Sequence, residues 1–159
     1  MSVSPTPLNP GDAAPDFDLP ADEGRVALAA LKGKTVVLYF YPKDDTPGCT
    51  TEAQGFTAAA DDFAKAGAVV VGVSKDSAAR HARFRAKYGL KPLLGSAQDD
   101  DMVERYGAWV EKTLYGRQYM GIDRSTFLID KTGVIRRVWR KVKIAGHVAE
   151  VLGAAQELA

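Results

Sequence analysis

The sequence predicts a single α/β domain, and three features lead to that prediction. Two apolar runs, at residues 35–41 and 68–73, have the length and composition of buried strands. Between them, residues 50–66 carry apolar side chains at helical spacing. The last part of the chain predicts a hairpin followed by a helix. Strands that alternate with helices and end in a hairpin are typical of one sheet covered by helices.

Local sequence signals predict the structure of the first half of the chain. Residues 1–10 contain three prolines and predict a loose arm. Residues 11–20 alternate apolar and polar side chains, as an edge strand or hairpin arm does, and a turn follows. The helix over 50–66 ends at Gly67, a suitable C-cap. Gly55 lies inside this helix at a cost of roughly 1 kcal/mol against alanine, so we expect the helix to be weak there.

The second half continues the alternation. Asp76 and Ser77 predict the start of a helix that runs to about Tyr88 and ends at Gly89. A short strand at 93–94 and a helix from the acidic residues 99–101 to about Tyr106 are expected next. Residues 108–123 are rich in aromatic residues and glycine and are predicted to form a long loop, which is often functional in a compact domain. The remaining predicted elements are strands at 124–130 and 134–142 and a helix at 146–158.

Composition excludes several classes of function. The 159 residues are 46% hydrophobic and 26% charged with a net charge of +1, so neither nucleic acid nor a membrane surface is an expected partner. The first residues lack the basic and apolar segments of a signal peptide, and no run approaches the ~20 apolar residues of a membrane span. The single cysteine excludes an internal disulfide and fits a reducing compartment. We therefore expect a cytoplasmic protein.

Residues 40–53 contain the strongest functional signal. A loop with two prolines and a glycine delivers Cys49 to the start of the helix predicted over 50–66. Unpaired backbone N–H groups and the helix dipole favour negative charge there, and hence the thiolate, which is the reactive form of cysteine. A lone cysteine is more often a small buried apolar residue. The polar strand-to-helix turn around Cys49 favours chemistry instead.

Three separated stretches of the chain resemble the peroxiredoxins, in particular the bacterioferritin-comigratory-protein (PrxQ) branch. They are residues 40–53, with the pattern Pro42-x-x-x-Thr46-x-x-Cys49 that is similar to the family's peroxidatic motif, residues 115–130 and residues 138–142. The resemblance runs from about Gly11 to the C-terminus. It implies a thioredoxin-like fold, with a central mixed β-sheet flanked by helices, as a single domain over residues 1–159.

The resemblance also implies a function. A peroxiredoxin is a thiol peroxidase that reduces hydrogen peroxide and organic hydroperoxides in antioxidant defence, without a cofactor or a metal. Cys49 is then the nucleophile that becomes a sulfenic acid, and Thr46 and Arg124 bind the thiolate and the peroxide. Pro42 shapes and shields the pocket. Glu52 and Tyr41 are expected behind these residues, Glu52 either as an orienting group or only as a carboxylate at the helix start.

One position departs from the branch. Many members carry a resolving cysteine five residues after the peroxidatic one, where this chain has Gln54, and the helix predicted up to Tyr88 contains no cysteine either. We therefore expect a single-cysteine enzyme that is recycled by an external thiol, such as thioredoxin, glutaredoxin or a low-molecular-weight thiol. We also expect a monomer. The alternative is a non-catalytic thioredoxin-fold sensor or binding module, in which Cys49 is a switch that is oxidised once.

Other candidate sites are weaker. His81 is predicted on the surface of a helix and His147 at the start of another, and neither has metal-ligand spacing with Cys49. Basic residues between Arg136 and Lys143 are interrupted by valines, which predicts a solvated sheet face rather than a nucleic-acid site.

Overall fold

The computed structural model describes residues 7–159. In that range the strands are β1 (Asp18–Pro20), β2 (Arg25–Ala27), β3 (Thr35–Phe40), β4 (Ala68–Ser74), β5 (Leu93–Ser96), β6 (Trp109–Leu114), β7 (Arg117–Ile122), β8 (Ser125–Ile129) and β9 (Ile135–Trp139). The helices are α1 (Pro47–Ala58), α2 (Ala60–Lys65), α3 (Ala78–Tyr88), α4 (Met102–Arg105) and α5 (His147–Glu157), with one turn of 3-10 helix at Leu28–Leu31.

A mixed sheet of five strands crosses the domain in the order β5-β4-β3-β8-β9. β3 and β5 run parallel to β4, whereas β8 is antiparallel to both of its neighbours. Every residue of the central strand β3 is buried, which explains its continuous apolar run, because a strand covered on both faces has no solvent side. The predicted central mixed sheet flanked by helices is confirmed.

The sheet separates two apolar cores. Alternate residues of β3 enter them: Val36, Leu38 and Phe40 enter the first core, Val37 and Tyr39 the second. The first core is closed by β1, β2 and α4, and the second by the longer helices α1, α3 and α5 together with α2. The strand thus ends between two packed layers, and the loop that follows it is held by a rigid frame.

Residues 108–123 form a hairpin, β6 and β7, and the prediction of a long loop there is wrong. Six residue pairs are in register, from Trp109 opposite Ile122 to Leu114 opposite Arg117. Tyr115 and Gly116 have φ angles of 52° and 77°, and two positive φ values give the tight turn whose twist matches paired strands. Most side chains of β7 are exposed, so the alternation that identifies a half-buried strand is missing from the sequence.

The helix predicted over 50–66 is two helices, and it begins earlier than expected. α1 starts at Pro47, in agreement with the preference for proline in the first helical position, and the chain breaks at Ala59 before α2. Gly55 does not break α1. A Cβ at Gly55 would lie 3.0 Å from Val148 Cγ2, so glycine lets α1 approach α5 closely.

The N-terminal part of the described chain packs onto the domain. The predicted N-terminal arm falls mostly on residues 1–6, outside the described residues. Further on, Leu8 packs against the first core and the Gly11 N–H donates to the Ile135 carbonyl.

Among residues 7–159, no helix is long and apolar enough to cross a membrane.

Candidate active site

Cys49 is the third residue of α1, just beyond the carboxyl end of β3. Thr46 precedes the helix in an extended conformation, and its carbonyl accepts from the Thr50 N–H at 2.8 Å. The first N–H groups of a helix have no partner within the helix, so those of the Cys49 turn are available as donors. The loop and the helix start therefore place Cys49 in a turn whose first backbone N–H groups have no partner within the helix.

Arg124 joins this turn from the neighbouring strand of the sheet, just before β8 begins. Its Nη2 donates to Cys49 Sγ at 3.4 Å, and its Nη1 donates to Glu52 Oε1 at 2.6 Å. The arginine directly precedes β8, and Ser125 of β8 pairs with Phe40 at the end of β3. Antiparallel pairing thus brings Arg124 to the strand end from which the cysteine loop leaves.

Gly48 makes the close approach of this arginine possible. A Cβ at Gly48 would lie 3.2 Å from both Arg124 Nη2 and Ile144 Cδ1. A larger residue would require the Arg124 guanidinium or the Ile144 side chain to shift by a few tenths of an ångström. Glycine at this turn therefore favours the contact between the guanidinium and the sulfur.

Glu52 is fully buried beneath the guanidinium. Burial raises the pKa of Glu52 to about 7, although the charge of Arg124 and the hydrogen bond from it act in the opposite direction. Its second oxygen, Oε2, has no hydrogen-bond partner among the described residues. Of the two alternatives for Glu52, the geometry favours a group that orients Arg124.

The raised pKa of Glu52 has a consequence for stability. The folded protein holds this proton up to about pH 7, whereas the unfolded chain releases it near the ordinary glutamate value of 4.5. Stability from this group is therefore present below pH 4.5 and is lost as the pH rises towards 7, by roughly 3 kcal/mol. We expect Glu52→Gln to remove that loss. Chemical denaturation of both proteins from pH 4 to 8 should give difference curves that diverge with rising pH, and parallel curves would contradict the assignment.

The other predicted site residues surround this centre at different depths. Thr46 is partly exposed, and its hydroxyl donates to the Lys43 carbonyl at 2.8 Å rather than to Cys49. Pro42 lies two residues after the last residue of β3 and is exposed. Tyr41 is buried in the same core as Cys49, but its hydroxyl donates to Asp44 Oδ1 at 2.6 Å.

A buried polar network behind the loop was missed by the sequence reasoning. His81, which was expected on a helix surface, is fully buried, with Nδ1 2.6 Å from Asp44 Oδ2 and Nε2 3.0 Å from the Gly95 carbonyl. The spacing of His81, Phe84 and Tyr88 places all three on one face of α3, and this stripe is the signal that indicates burial.

The remaining candidate residues have other partners in the structure. No group of three or more His, Cys, Asp or Glu side chains in residues 7–159 is arranged to hold a metal ion. His147 is also buried, and its Nε2 lies 2.8 Å from Thr126 Oγ1. Arg136 and Arg137 are exposed on β9 and lie within salt-bridge distance of Asp130 and Glu150, as a solvated sheet face requires.

Comparison with known proteins places this geometry in context. Residues 10–138 match the model of the AhpC/TSA family. A putative peroxiredoxin bcp of Coxiella burnetii is 56% identical over 144 residues, which is 90% of this chain and 95% of that protein. Peroxiredoxin Bcp of Bacillus subtilis is 48% identical over 149 residues, or 93% and 95% of the two chains.

Solved structures agree with these relatives. The bacterioferritin comigratory protein of Xanthomonas campestris, studied for its alkyl peroxide reduction activity, aligns with a TM-score of 0.84 at 44% identity, over 89% of this chain and 90% of that one. A mutant of Xylella fastidiosa PrxQ aligns with a TM-score of 0.89 at 37% identity, over 96% and 98% of the two chains.

Proposed function

This chain belongs to the AhpC/TSA family as a Bcp/PrxQ-type peroxiredoxin, which makes it a thiol peroxidase with a thioredoxin-like fold, and we propose that Cys49 is its peroxidatic residue. One observation carries the proposal: Cys49 Sγ lies in the first turn of α1 and accepts a hydrogen bond from Arg124 at 3.4 Å. It is also the only sulfur nucleophile in the sequence.

In the first half-reaction, the thiolate attacks the terminal oxygen of a hydroperoxide. A bond forms between sulfur and this oxygen while the O–O bond breaks, so sulfur loses two electrons and the peroxide gains them. Cys49 becomes a sulfenic acid, and the other oxygen leaves as an alkoxide or hydroxide that takes up a proton. The guanidinium of Arg124 and the backbone N–H groups of the first turn stabilise the charge that moves onto this oxygen.

Thr46 has a narrower role than the resemblance implies. Its hydroxyl proton is engaged by the Lys43 carbonyl, so its lone pairs are free to accept from the O–H group of the hydroperoxide. We propose that Thr46 orients the peroxide, and that Arg124 stabilises both the thiolate and, chiefly, the charge on the departing oxygen. Pro42, at the other end of the same short loop, limits the conformations that the loop adopts.

The second half-reaction needs a thiol from outside the chain. Gln54 lies on the exposed side of α1, and α3 contains no cysteine. A first thiol condenses with the sulfenic acid to a mixed disulfide and releases water, and a second thiol displaces Cys49 as a thiol. Cys49 is 2% exposed, so the first turn of α1 has to move before the thiol reaches the sulfur. We propose that the protein is a cytoplasmic monomer and that thioredoxin, glutaredoxin or a low-molecular-weight thiol recycles it. The single cysteine supports a reducing compartment such as the cytoplasm.

The recycling scheme predicts the product of one turnover. One equivalent of peroxide should leave Cys49 as a sulfenic acid, because no second cysteine is available to form an intramolecular disulfide. Intact-mass measurement should show a gain of one oxygen that dimedone traps, and excess peroxide without thiol should add a second oxygen. The Cys49→Ser variant is the control and should show neither gain.

Two outcomes would contradict the scheme. A disulfide-linked dimer through Cys49 as the main product would point to resolution between subunits. A protein that is oxidised once and consumes no further peroxide with any of the three thiol reductants would be a sensor rather than a peroxidase.

A further inference from the structure

We propose that the buried pair of Asp44 and His81 positions the peroxidatic loop, residues 42–46, and so raises the rate of peroxide attack without touching the reacting atoms. The proposal rests on the function above, in which the loop carries Thr46 to the peroxide. Asp44 and His81 are 3% and 0% exposed, respectively. Both are positioning residues.

His81 links three elements through its two ring nitrogens. Nε2 lies 3.0 Å from the Gly95 carbonyl of β5, and a carbonyl only accepts, so Nε2 carries a hydrogen. Nδ1 lies 2.6 Å from Asp44 Oδ2, so a proton is shared there whichever atom holds it. The ring therefore ties the loop to α3 and to β5 by two short hydrogen bonds.

Asp44 is also held at its other carboxylate oxygen and at its backbone N–H. The Tyr41 hydroxyl donates to Oδ1 at 2.6 Å, and the Asp44 N–H donates to Asp76 Oδ2 at 2.8 Å. The Ser74 hydroxyl donates to the same Asp76 oxygen at 2.6 Å. A buried network whose members are satisfied is rigid and has one low-energy arrangement. Thr46 lies two residues after Asp44, and its hydrogen bond to the Lys43 carbonyl fixes its side chain to the same rigid loop.

Asp45 provides a comparison within the same loop. Its backbone is in the left-handed region, with φ of 59°, and its carboxylate accepts from Lys87 Nζ at 2.8 Å and the Tyr88 hydroxyl at 2.7 Å. These contacts also join the loop to α3, but the Lys87–Asp45 pair is exposed. Because exposed ion pairs contribute little to stability, we expect the buried pair of Asp44 and His81 to hold the loop in place.

The test compares two reactions of the same sulfur. For the wild type, Asp44→Asn, His81→Gln and the double variant, the second-order rate constants with hydrogen peroxide and with iodoacetamide are measured at one pH. Peroxide attack depends on the placement of Thr46, whereas alkylation depends only on the thiolate and its access. We expect each single variant to lose about 100-fold in the peroxide rate while alkylation is unchanged or faster, because small misplacements in a reacting geometry cost that much and a looser loop exposes the buried sulfur more often. The double variant should lose no more than one single variant.

Matched variants keep the test decisive. Tyr88→Phe removes one of the two contacts to the Asp45 carboxylate, leaves the exposed Lys87 pair in place, and should keep both rates. Tyr41→Phe removes the hydroxyl that donates to Asp44 Oδ1 and lies 3.4 Å from His81 Nδ1. It should lower the peroxide rate by about 10-fold, and it serves as the test if the His81 variant does not fold. Unchanged peroxide rates in folded Asp44 and Tyr41 variants would overturn the proposal, as would equal losses in both reactions, which indicate a purely structural role. A wild type without peroxidase activity would instead refute the proposed function.

Discussion

Replacement of Cys49 by serine should abolish peroxide turnover and leave the fold intact. A serine hydroxyl does not ionise near neutral pH, and the sequence contains no other cysteine to take over the attack. Since enzymic accelerations begin near 10⁶, turnover should fall by roughly that factor, to the rate of the thiol reductant alone. The fold should survive because the smaller hydroxyl still accepts from Arg124, the donor that contacts the sulfur.

The measurement is peroxide consumption with a thiol reductant, combined with circular dichroism and thermal unfolding of the purified variant. Gln54→Ala is the matched control, because Gln54 lies on the same helix with its side chain exposed, and this variant should keep wild-type turnover. Substantial residual turnover in the serine variant would remove Cys49 from the chemistry.

Arg124→Ala should lower the rate of peroxide attack by about 10³-fold, and more of this loss should come from the transition state than from ionisation of the sulfur. A cysteine in water with pKa ~8.5 is about 3% ionised at neutral pH, so complete ionisation gains only ~30-fold. Part of that gain is cancelled, because a less basic thiolate is a weaker nucleophile. The guanidinium beside the sulfur must therefore act chiefly on the charge of the departing oxygen.

Raising the pH separates the two effects. At a pH where a free thiol is fully ionised, the Arg124→Ala variant should still react at least about 30-fold more slowly than the wild type. Full recovery at high pH would mean that Arg124 only promotes ionisation. The single variant leaves Glu52 buried without its partner, so the double variant Arg124→Ala/Glu52→Gln is the control that removes the unpaired carboxylate. The single and the double variant should show the same loss of rate if the loss comes from the missing guanidinium.

Local signals were sufficient for much of the fold. Ser77 caps α3 by accepting from the Arg80 N–H, and Gly89 ends it in the left-handed conformation, as the sequence predicts. β3 and β4 follow from continuous apolar runs. Each of these signals lies within one element, so the elements were identified without knowledge of their partners. The hairpin of β6 and β7 was not, because most of its side chains are exposed and its turn has no Asn-Gly or Asp-Gly pair.

The sequence by itself determined the family resemblance, the α/β class and the position of Cys49 at the start of a helix, since motif and turn residues are neighbours in the chain. Only the tertiary structure decided which polar groups are buried together. Arg124 contacts Glu52, which lies 72 positions away in the sequence, and His81 contacts Asp44, which lies 37 positions away. Pairing of β8 with β3 creates the first contact and packing of α3 beside the loop creates the second. Burial of a charged side chain depends on the partner that folding brings to it, and no local pattern in the sequence encodes that partner.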